Sequence, residues 1–209
     1  DLVNSLRATE TQQMLPSNCQ LALKEWAITV EAMARGEQVL LLRKGGIHED
    51  GKDFRIIHPE FLFYPTYLHQ REDLIRSAHQ PALRKMLEQP QDVEKVTFSY
   101  WAKVEEMLEI SDQHKVDDLE HHYIWTTAYA QSKLNWKPML PLSVLLVRVY
   151  KLHQPVSVPY LPEYGGCTSW VEVLSDVTLG KIDPVLDDTE FQRRIDDIKG
   201  SLGLAVTAN

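Results

Sequence analysis

The pattern of apolar and polar positions along the chain first predicts a set of β-strands. Apolar and polar residues alternate from Val96 to Ile110, which is typical of a strand with one buried face. Short apolar runs bounded by turn residues predict buried strands at 39–42 and 61–64, the second ending at Pro65. Further strands are expected at 21–25, 142–152 and 169–174.

Apolar residues spaced three and four positions apart predict helices between these strands. Gly36 is expected to end the first of them, because glycine readily adopts the left-handed conformation found at helix termini. Pro81 lies inside the second segment and predicts either a kinked helix or two short ones. The third segment is expected as one helix or as two pieces. The four helical segments are 26–35, 69–88, 116–134 and 188–202.

Strands and helices do not alternate regularly, which disfavours a doubly wound parallel sheet. We therefore expect an α+β fold, in which a curved mixed or antiparallel sheet forms a partial barrel with helical insertions. The order of elements predicts an N-terminal arm at 1–18, a single α+β domain at 19–180 and a C-terminal helical extension at 181–209.

The composition is that of a domain that can fold on its hydrophobic core alone, without disulfide bonds or a structural metal. The chain has 209 residues, of which 44% are hydrophobic, and a formal net charge of −8. Its richest apolar stretch, Leu142–Val149, is far shorter than the roughly 20 residues of a membrane span and contains Arg148, so no membrane contact is expected. Cys19 and Cys167 form no C-x-x-C pair, and the first residues show no signal-peptide pattern. A reducing cytoplasm is therefore the expected location.

One segment departs from the acidic character of the chain. No Asp or Glu occurs between 121 and 162. Nucleobases stack on aromatic rings and cations bind phosphates, so this composition predicts a nucleotide or nucleic acid as ligand. In that interpretation Trp125 lines the ligand pocket, and Lys133, Lys137 and Arg148 lie along the phosphate backbone of the bound nucleic acid. The alternative is that the aromatic rings belong to the core and the lysines extend to solvent. The interleaved residues are Tyr123, Trp125, Tyr129, Lys133, Trp136, Lys137, Arg148, Tyr150, Lys151 and Tyr160.

A second group of candidate residues follows the predicted strands 39–42 and 61–64. Arg43 and Lys44 lead directly into a diglycine, whose bare backbone allows an anion to approach closely. Tyr67 and His69 follow the second strand, where a polar ligand would find hydrogen-bonding groups. We therefore predict that Arg43, Lys44, Tyr67 and His69 bind the ligand.

These residues also have structural alternatives, which stay open at the level of sequence. Arg43 would then join two strands by pairing with Glu25 or Glu60, as buried arginines often do. The segment 43–46 would be the solvated tip of a hairpin, and Thr66 would cap the helix that follows Pro65.

No strong catalytic motif is present, since G-x-S-x-G, the P-loop pattern, H-E-x-x-H and G-x-G-x-x-G are all missing. Asp50-Gly51-Lys52 has the spacing used by many metal-dependent nucleases, but it lies in a glycine-rich loop. His121 and His122 would diverge by about 100° on a helix, which disfavours a shared metal ion. Cys167 follows a glycine pair and would need His58, His69 or His153 beside it to act as a nucleophile. We assign no catalytic residue, metal or cofactor.

Six segments together resemble a known family, the domain-of-unknown-function family 1802. The resemblance covers about residues 20–175. The family is mostly bacterial and frequent in cyanobacteria, and some members occur beside restriction-endonuclease-type domains. The resemblance thus implies a restriction-type nuclease as partner and a link to restriction or defence. The segments are Leu23–Ala27, Gly36, Leu41–Ile47, Phe63–Gln70, Arg148–Tyr150 and Cys167–Val171.

A more distant similarity concerns the G-x-K-x-x-E-x-R signature of ASCH domains, PUA-like barrels that bind RNA or modified nucleotides. Gly36 and Arg43 match this signature, whereas Gln38 and Leu41 replace its Lys and Glu. The similarity implies a PUA-like fold without the chemistry of the two replaced positions. Our prediction is non-enzymatic recognition of a nucleotide or nucleic acid. The alternatives are a metal- or Cys-dependent hydrolase acting on nucleic acid, and a pure protein-interaction module.

Overall fold

A mixed β-sheet is the framework of the molecule. The computed structural model describes residues 15–44 and 59–206, and within them seven strands form one sheet. The strands are β1 (Leu21–Trp26), β2 (Leu40–Arg43), β3 (Glu60–Thr66), β4 (Lys95–Ile110), β5 (Leu142–Pro159), β6 (Trp170–Glu172) and β7 (Ile182–Pro184). The order is β2-β5-β4-β3-β1-β6, and β7 pairs with β5. Only β1 and β3 run parallel among these pairs. The predicted α+β class with a mixed sheet is confirmed.

The long antiparallel pair of β4 and β5 gives the sheet its curvature. The two strands pair over almost their whole lengths, and the register shifts at residues 98–100 and again at 104–106. Such irregularities bend a sheet and increase its twist. β2 pairs with the first residues of β5, and β3 pairs with the middle of β4. The curvature brings β1 and β2 close together, although they are not hydrogen-bonded neighbours in the sheet.

Five α-helices are described within these residues, and they cover the sheet. They are α1 (Ala27–Ala34), α2 (Gln80–Glu88), α3 (Gln113–Asp117), α4 (Thr127–Asn135) and α5 (Asp188–Ser201). Polar side chains cap three of them by accepting a hydrogen bond from a backbone N–H in the first turn: Asp112 caps α3, Thr126 caps α4 and Asp187 caps α5. Gly36 follows α1 with a φ of 70°, in the conformation expected at a helix end.

Apolar side chains form two clusters. The larger one joins β2, β3 and β5 to the helices, and it includes Phe191, Ile195, Ile198 and Leu202 from α5 and the residue after it. These residues recur every three or four positions, so one side of α5 packs on the main core. The smaller cluster lies around Trp101 and includes Val96, Phe98 and Val158.

Several predicted elements need correction. The expected helix 69–88 begins only at Gln80, preceded by short 3₁₀ helices at 72–74 and 77–79, because Pro81 fits the first turn of a helix but not its interior. The expected strand 142–152 continues to Pro159, and the strand 182–184 was not predicted. Thr66 caps no helix: it lies in β3, where its hydroxyl donates to the carbonyl oxygen of Glu25 at 3.1 Å.

The segment 116–134 is divided into separate pieces. Tyr123 has extended backbone angles, and Trp125 forms an isolated bridge with Ile75, so the chain is not helical between α3 and α4. The predicted strand 96–110 is confirmed within one residue of its start.

Some predictions concern residues that the structure does not describe. They are most of the arm at 1–18, the diglycine at 45–46, the Asp50–Lys52 segment and His58. Asn18, at the described end of the arm, forms an isolated bridge with Thr178. Among the described residues, no helix has the length and apolar character needed to cross a membrane.

Candidate functional site

An ion pair between Glu25 and Arg43 connects β1 to β2. Arg43 Nη2 donates to Glu25 Oε2 at 2.6 Å and to the carbonyl oxygen of Lys24 at 2.9 Å. The side chains of Arg43 and Glu25 are only 17% and 6% exposed. The backbone N–H of Trp26 donates to the second carboxylate oxygen at 2.9 Å. Of the two carboxylates that the sequence offered to Arg43, Glu25 is the partner.

Helix α4 places an aromatic ring and another cation beside this ion pair. The Tyr129 ring lies 5.1 Å from the ring of Trp26 and 4.9 Å from that of Trp125, between centroids. Lys133 follows Tyr129 by four positions, which puts both side chains on one face of the helix. Lys133 Nζ lies 5.1 Å from the centroid of the Tyr129 ring, within the range of a cation–π contact.

Burial and the Glu25–Arg43 pair both shift the pKa values of Lys133 and Tyr129. Burial lowers the pKa of the half-buried Lys133, the positive charge of Arg43 lowers it further, and Glu25 opposes both effects. Burial raises the pKa of Tyr129, as does Glu25, against a smaller opposing effect of Arg43. Tyr129 is therefore a protonated phenol, able to donate a hydrogen bond, at any physiological pH.

Lys44 adds a further cation. Its side chain is buried, and its ammonium group donates to the carbonyl oxygen of Leu134, the neighbour of Lys133 in α4. Burial lowers the pKa of Lys44 as well. We call Glu25, Arg43, Lys44, Tyr129 and Lys133 the β2–α4 cluster. Among its described residues, the cluster has three cations and one carboxylate, and Arg43 and Lys133 both interact with that carboxylate. The cluster therefore has an excess of positive charge that an anion would balance.

Two other predicted cations occupy different places. Arg148 Nη2 lies 2.5 Å from Asp188 Oδ1 and donates to the carbonyl oxygen of Leu186 at 3.3 Å, so Arg148 holds the start of α5. Lys137 follows α4 with a φ of 51°, and its ammonium group lies 4.6 Å from the centroid of the Trp136 ring. The Trp136 side chain is 56% exposed.

Of the three predicted aromatic and histidine residues, Trp125 lies apart from Tyr67 and His69. Trp125 is 1% exposed and donates its indole N–H to Thr29 Oγ1 at 3.1 Å, so it supports the Tyr129 ring from within the core. Tyr67 and His69 lie in an exposed turn after β3, where His69 has a φ of 66°. Gln70, next to them, accepts a hydrogen bond from the backbone N–H of Ile28 at 2.9 Å and so supports the start of α1.

An open groove lies away from the cluster. It has a volume of about 400 Å³ and lies between β4 and α5. Its charged side chains pair with each other, as in the contact of 2.6 Å between Lys199 and Glu106 and the pair of Arg148 with Asp188. A groove whose charges are already paired offers less to an ionic ligand than the β2–α4 cluster does.

The side chains considered for hydrolysis are placed as follows. Within 15–44 and 59–206, no three His, Cys, Asp or Glu side chains come together as a metal site. His121 lies 3.3 Å from Glu120, whereas His122 Nε2 lies 2.8 Å from Ser201 Oγ, so the two rings have different neighbours. Cys167 is exposed, and Lys24 Nζ donates to the carbonyl oxygen of its neighbour Gly166 at 3.0 Å.

The sequence analysis assigned no binding role to three residues near Arg43. Trp26 follows Glu25 in the sequence, and Tyr129 belongs to the acid-free segment of aromatic residues and lysines. The contact between their rings, however, depends on how α4 packs. Ser143 has a clearer signal, as the polar residue near the start of the apolar run 142–147. Gln38, at the Lys position of the G-x-K-x-x-E-x-R signature, is buried and accepts a hydrogen bond from the N–H of Ile124 at 2.9 Å, so its role here is structural.

Comparison with protein-family models places this arrangement in a family. The model described as a domain of unknown function, DUF1802, matches residues 22–197. The chain belongs to this family. The DUF1802 match extends from β1 into α5, and therefore contains every residue of the β2–α4 cluster.

The DUF1802 chain also has similarities to solved structures and to a curated protein. It is similar to ASCH from Zymomonas mobilis, with 12% identity, a TM-score of 0.40 and coverage of 84% of this chain and 92% of that one. A point mutant of the same ASCH protein matches with 11% identity, a TM-score of 0.39 and coverage of 87% and 97%. Similarity at this level does not determine a function.

The curated protein is described as probable cytochrome P450 12a5, mitochondrial, from Drosophila melanogaster. It is 28% identical over 122 residues, which are 58% of this chain and 23% of the cytochrome. The chain thus spans less than a quarter of the length of this relative.

Proposed function

We propose that this DUF1802 protein binds a nucleotide or a single-stranded nucleic acid at the β2–α4 cluster, without catalysing a reaction. The observation that carries the proposal is the excess of cations in the cluster: Arg43 and Lys133 interact with a single carboxylate, Glu25, and Lys44 binds the end of α4 beside Lys133. Holding cations together in a partly buried place is unfavourable unless an anion joins them. A phosphate is the anion that arginine and lysine side chains commonly bind together.

The aromatic side chains of the cluster favour a nucleotide over a simple anion. Trp26 is half-buried, and its ring contacts that of Tyr129. A base stacked on an aromatic ring gains about 1–3 kcal/mol, largely independent of the base. The exposed Trp136 and Lys137 follow α4 directly and extend the same combination of ring and cation along the surface.

The charge of the whole chain sets the conditions for this binding. A net charge of −8 repels a polyanion, so affinity must come from the local cations and must fall steeply as salt rises. The restriction-type nuclease partner, the link to defence and the cytoplasmic location remain predictions from the sequence and its resemblance.

The test is a binding titration by isothermal calorimetry at low salt. The ligands are the four ribonucleoside monophosphates, a single-stranded RNA and DNA of the same length, and a duplex. We expect Lys133→Gln to weaken binding by about tenfold or more, because it removes a cation of the cluster. The matched control is Lys95→Gln, since Lys95 is an exposed lysine at the far end of β4.

Two results would contradict the proposal. One is the absence of binding tighter than about millimolar for every ligand. The other is equal weakening by Lys133→Gln and Lys95→Gln, which would mean that the ligand responds only to total charge. Binding of a protein partner with no nucleotide affinity would instead favour the interaction module.

A further inference from the structure

The turn 136–140, which follows α4, presents an aromatic ring and a cation to solvent. The Trp136 side chain is 56% exposed, and Lys137 Nζ lies 4.6 Å from the centroid of its ring. Met139, in the same turn, is 93% exposed. Exposed apolar side chains that occur together often mark a binding surface, and tryptophan is enriched at such surfaces. The turn therefore offers an accessible ring to a ligand.

The backbone of this turn fixes the cation next to the ring. Lys137 has a φ of 51°, in the left-handed region that residues other than glycine seldom adopt. The backbone N–H of Leu140 donates to the carbonyl oxygen of Lys137 at 3.0 Å, which closes the turn. Unfavourable backbone conformations persist where the surrounding structure imposes them, and they are frequent at ligand-binding positions. Trp136 and Lys137 thus form a defined pair of ring and cation.

Helix α4 places this pair beside the β2–α4 cluster. The backbone N–H of Trp136 still donates to the carbonyl oxygen of Ser132 at 3.1 Å, so Trp136 occupies the next helical position. Residues three apart on a helix are neighbours, about 4.5 Å apart along its axis, which puts Trp136 next to Lys133. In the other direction, Lys133 lies over the Tyr129 ring, which contacts that of Trp26. Along α4, Lys133 therefore lies between the rings of the cluster and the ring of Trp136.

This order of groups matches a single strand of nucleic acid. In a strand each internal phosphate lies between two nucleosides, as Lys133 lies between two positions for a ring. A mononucleotide has one base and would use only one of these positions. In a duplex the bases are paired and stacked on each other, so they are not free to stack on a side chain. Charge favours the same ligand, because no Asp or Glu occurs between 121 and 162.

We propose that Trp136 stacks on an unpaired base of a single strand of two or more nucleotides, with adjacent phosphates bound by Lys133 and Lys137. This inference rests on the proposed function and narrows its ligand from a nucleotide or a strand to a strand. Lys137 covers one face of the Trp136 ring, so the base stacks on the other face. Every base has an aromatic face, and the strand is therefore bound with little preference for sequence.

The experiment compares Trp136→Ala with two matched variants. Trp136→Phe keeps an aromatic ring at the position. Tyr160→Ala removes a ring that belongs to the same acid-free segment and is 42% exposed, but that follows the far end of β5. Calorimetric titrations at low salt use uridine monophosphate, a short single-stranded oligouridine, and the same oligouridine paired with oligoadenosine. A thermal melt of each variant confirms folding.

We expect the unmodified protein to bind the oligouridine about tenfold or more tightly than uridine monophosphate, and more tightly than the duplex. Trp136→Ala should weaken oligouridine binding about tenfold, through the loss of one stacked base, and change the affinity for uridine monophosphate less than about twofold. Trp136→Phe should keep most of the oligouridine affinity, since a ring remains, and Tyr160→Ala should keep all of it. The melting temperature of Trp136→Ala should stay the same, because the side chain lies outside the core.

The outcomes separate this inference from the proposed function. If uridine monophosphate binds as tightly as the oligouridine, or if Trp136→Ala and Tyr160→Ala weaken oligouridine binding alike, the stacking position is wrong and nucleotide binding stands. If oligouridine binding depends on Trp136 but is unchanged in Lys133→Gln, the stacking position stands and the β2–α4 cluster is not the phosphate site. If no nucleic acid binds, both are wrong, and a dimer in sedimentation that Trp136→Ala dissociates would assign the turn to contact between two copies of the chain.

Discussion

Replacing Arg43 by lysine tests whether the Glu25–Arg43 pair holds β1 to β2. The substitution keeps the charge but removes the planar group, whose Nη2 makes both described bonds, to Glu25 Oε2 at 2.6 Å and to the Lys24 carbonyl at 2.9 Å. Hydrogen bonds to charged groups contribute about 1.5–3 kcal/mol each, and an ammonium retains part of this. We expect Arg43→Lys to lower the free energy of unfolding by about 2–3 kcal/mol. In a chain of this size that corresponds to a fall in melting temperature of about 4–12 °C.

A double-mutant cycle with Glu25→Gln assigns this loss to the pair itself. Urea unfolding of the two single variants and the double variant should give a coupling energy of about 1–3 kcal/mol. The matched control is Arg35→Lys, because Arg35 pairs with Glu31 and Glu37 while its side chain is 42% exposed. Exposed pairs contribute little, so the control should change stability by less than about 1 kcal/mol.

The result that would refute this reasoning is a coupling energy below about 0.5 kcal/mol. Equal losses for Arg43→Lys and Arg35→Lys would refute it as well. In either case Arg43 would not join the two strands, and the position of its guanidinium in the β2–α4 cluster would need another cause.

Two further predictions concern the end of α1 and the pH dependence of binding. Gly36→Ala should destabilise the fold more than Gly166→Ala in urea unfolding: both glycines have a positive φ, but a Cβ at Gly36 would lie 2.5 Å from Leu186 Cδ2, whereas one at Gly166 would meet nothing within 4 Å. Equal losses would show that Leu186 moves aside freely. Lys133 has a lowered pKa in the free protein, and a bound phosphate would raise it, so binding takes up a proton. Nucleotide affinity should therefore be full below the pKa of Lys133 in the free protein and fall as pH rises through it in calorimetry, whereas Lys133→Arg should keep its affinity through that range; a profile shared by both would contradict the role of Lys133.

The sequence alone determined the elements whose own pattern is long enough to be distinctive. The alternation from 96 to 110 predicted β4, and the spacing of Phe191, Ile195 and Ile198 predicted α5, because both patterns follow from which side of an element is buried. It also indicated Arg43 as a charged residue at the end of a buried strand. The three-residue strand 182–184 has no such pattern, since it is defined by its pairing with β5.

Tertiary structure decided which of the predicted residues meet. Tyr129 and Lys133 share a helix face by local geometry, but only the packing of α4 brings that face to Arg43. Arg148 and Trp125, predicted from the same acid-free segment, are placed by packing at the start of α5 and in the core. The physical reason is that contacts between distant segments depend on the curvature of the whole sheet. Residues far apart along the chain, such as Glu25 and Arg43 or Arg43 and Ser143, become neighbours only when β2 pairs with β5 and the sheet bends towards β1.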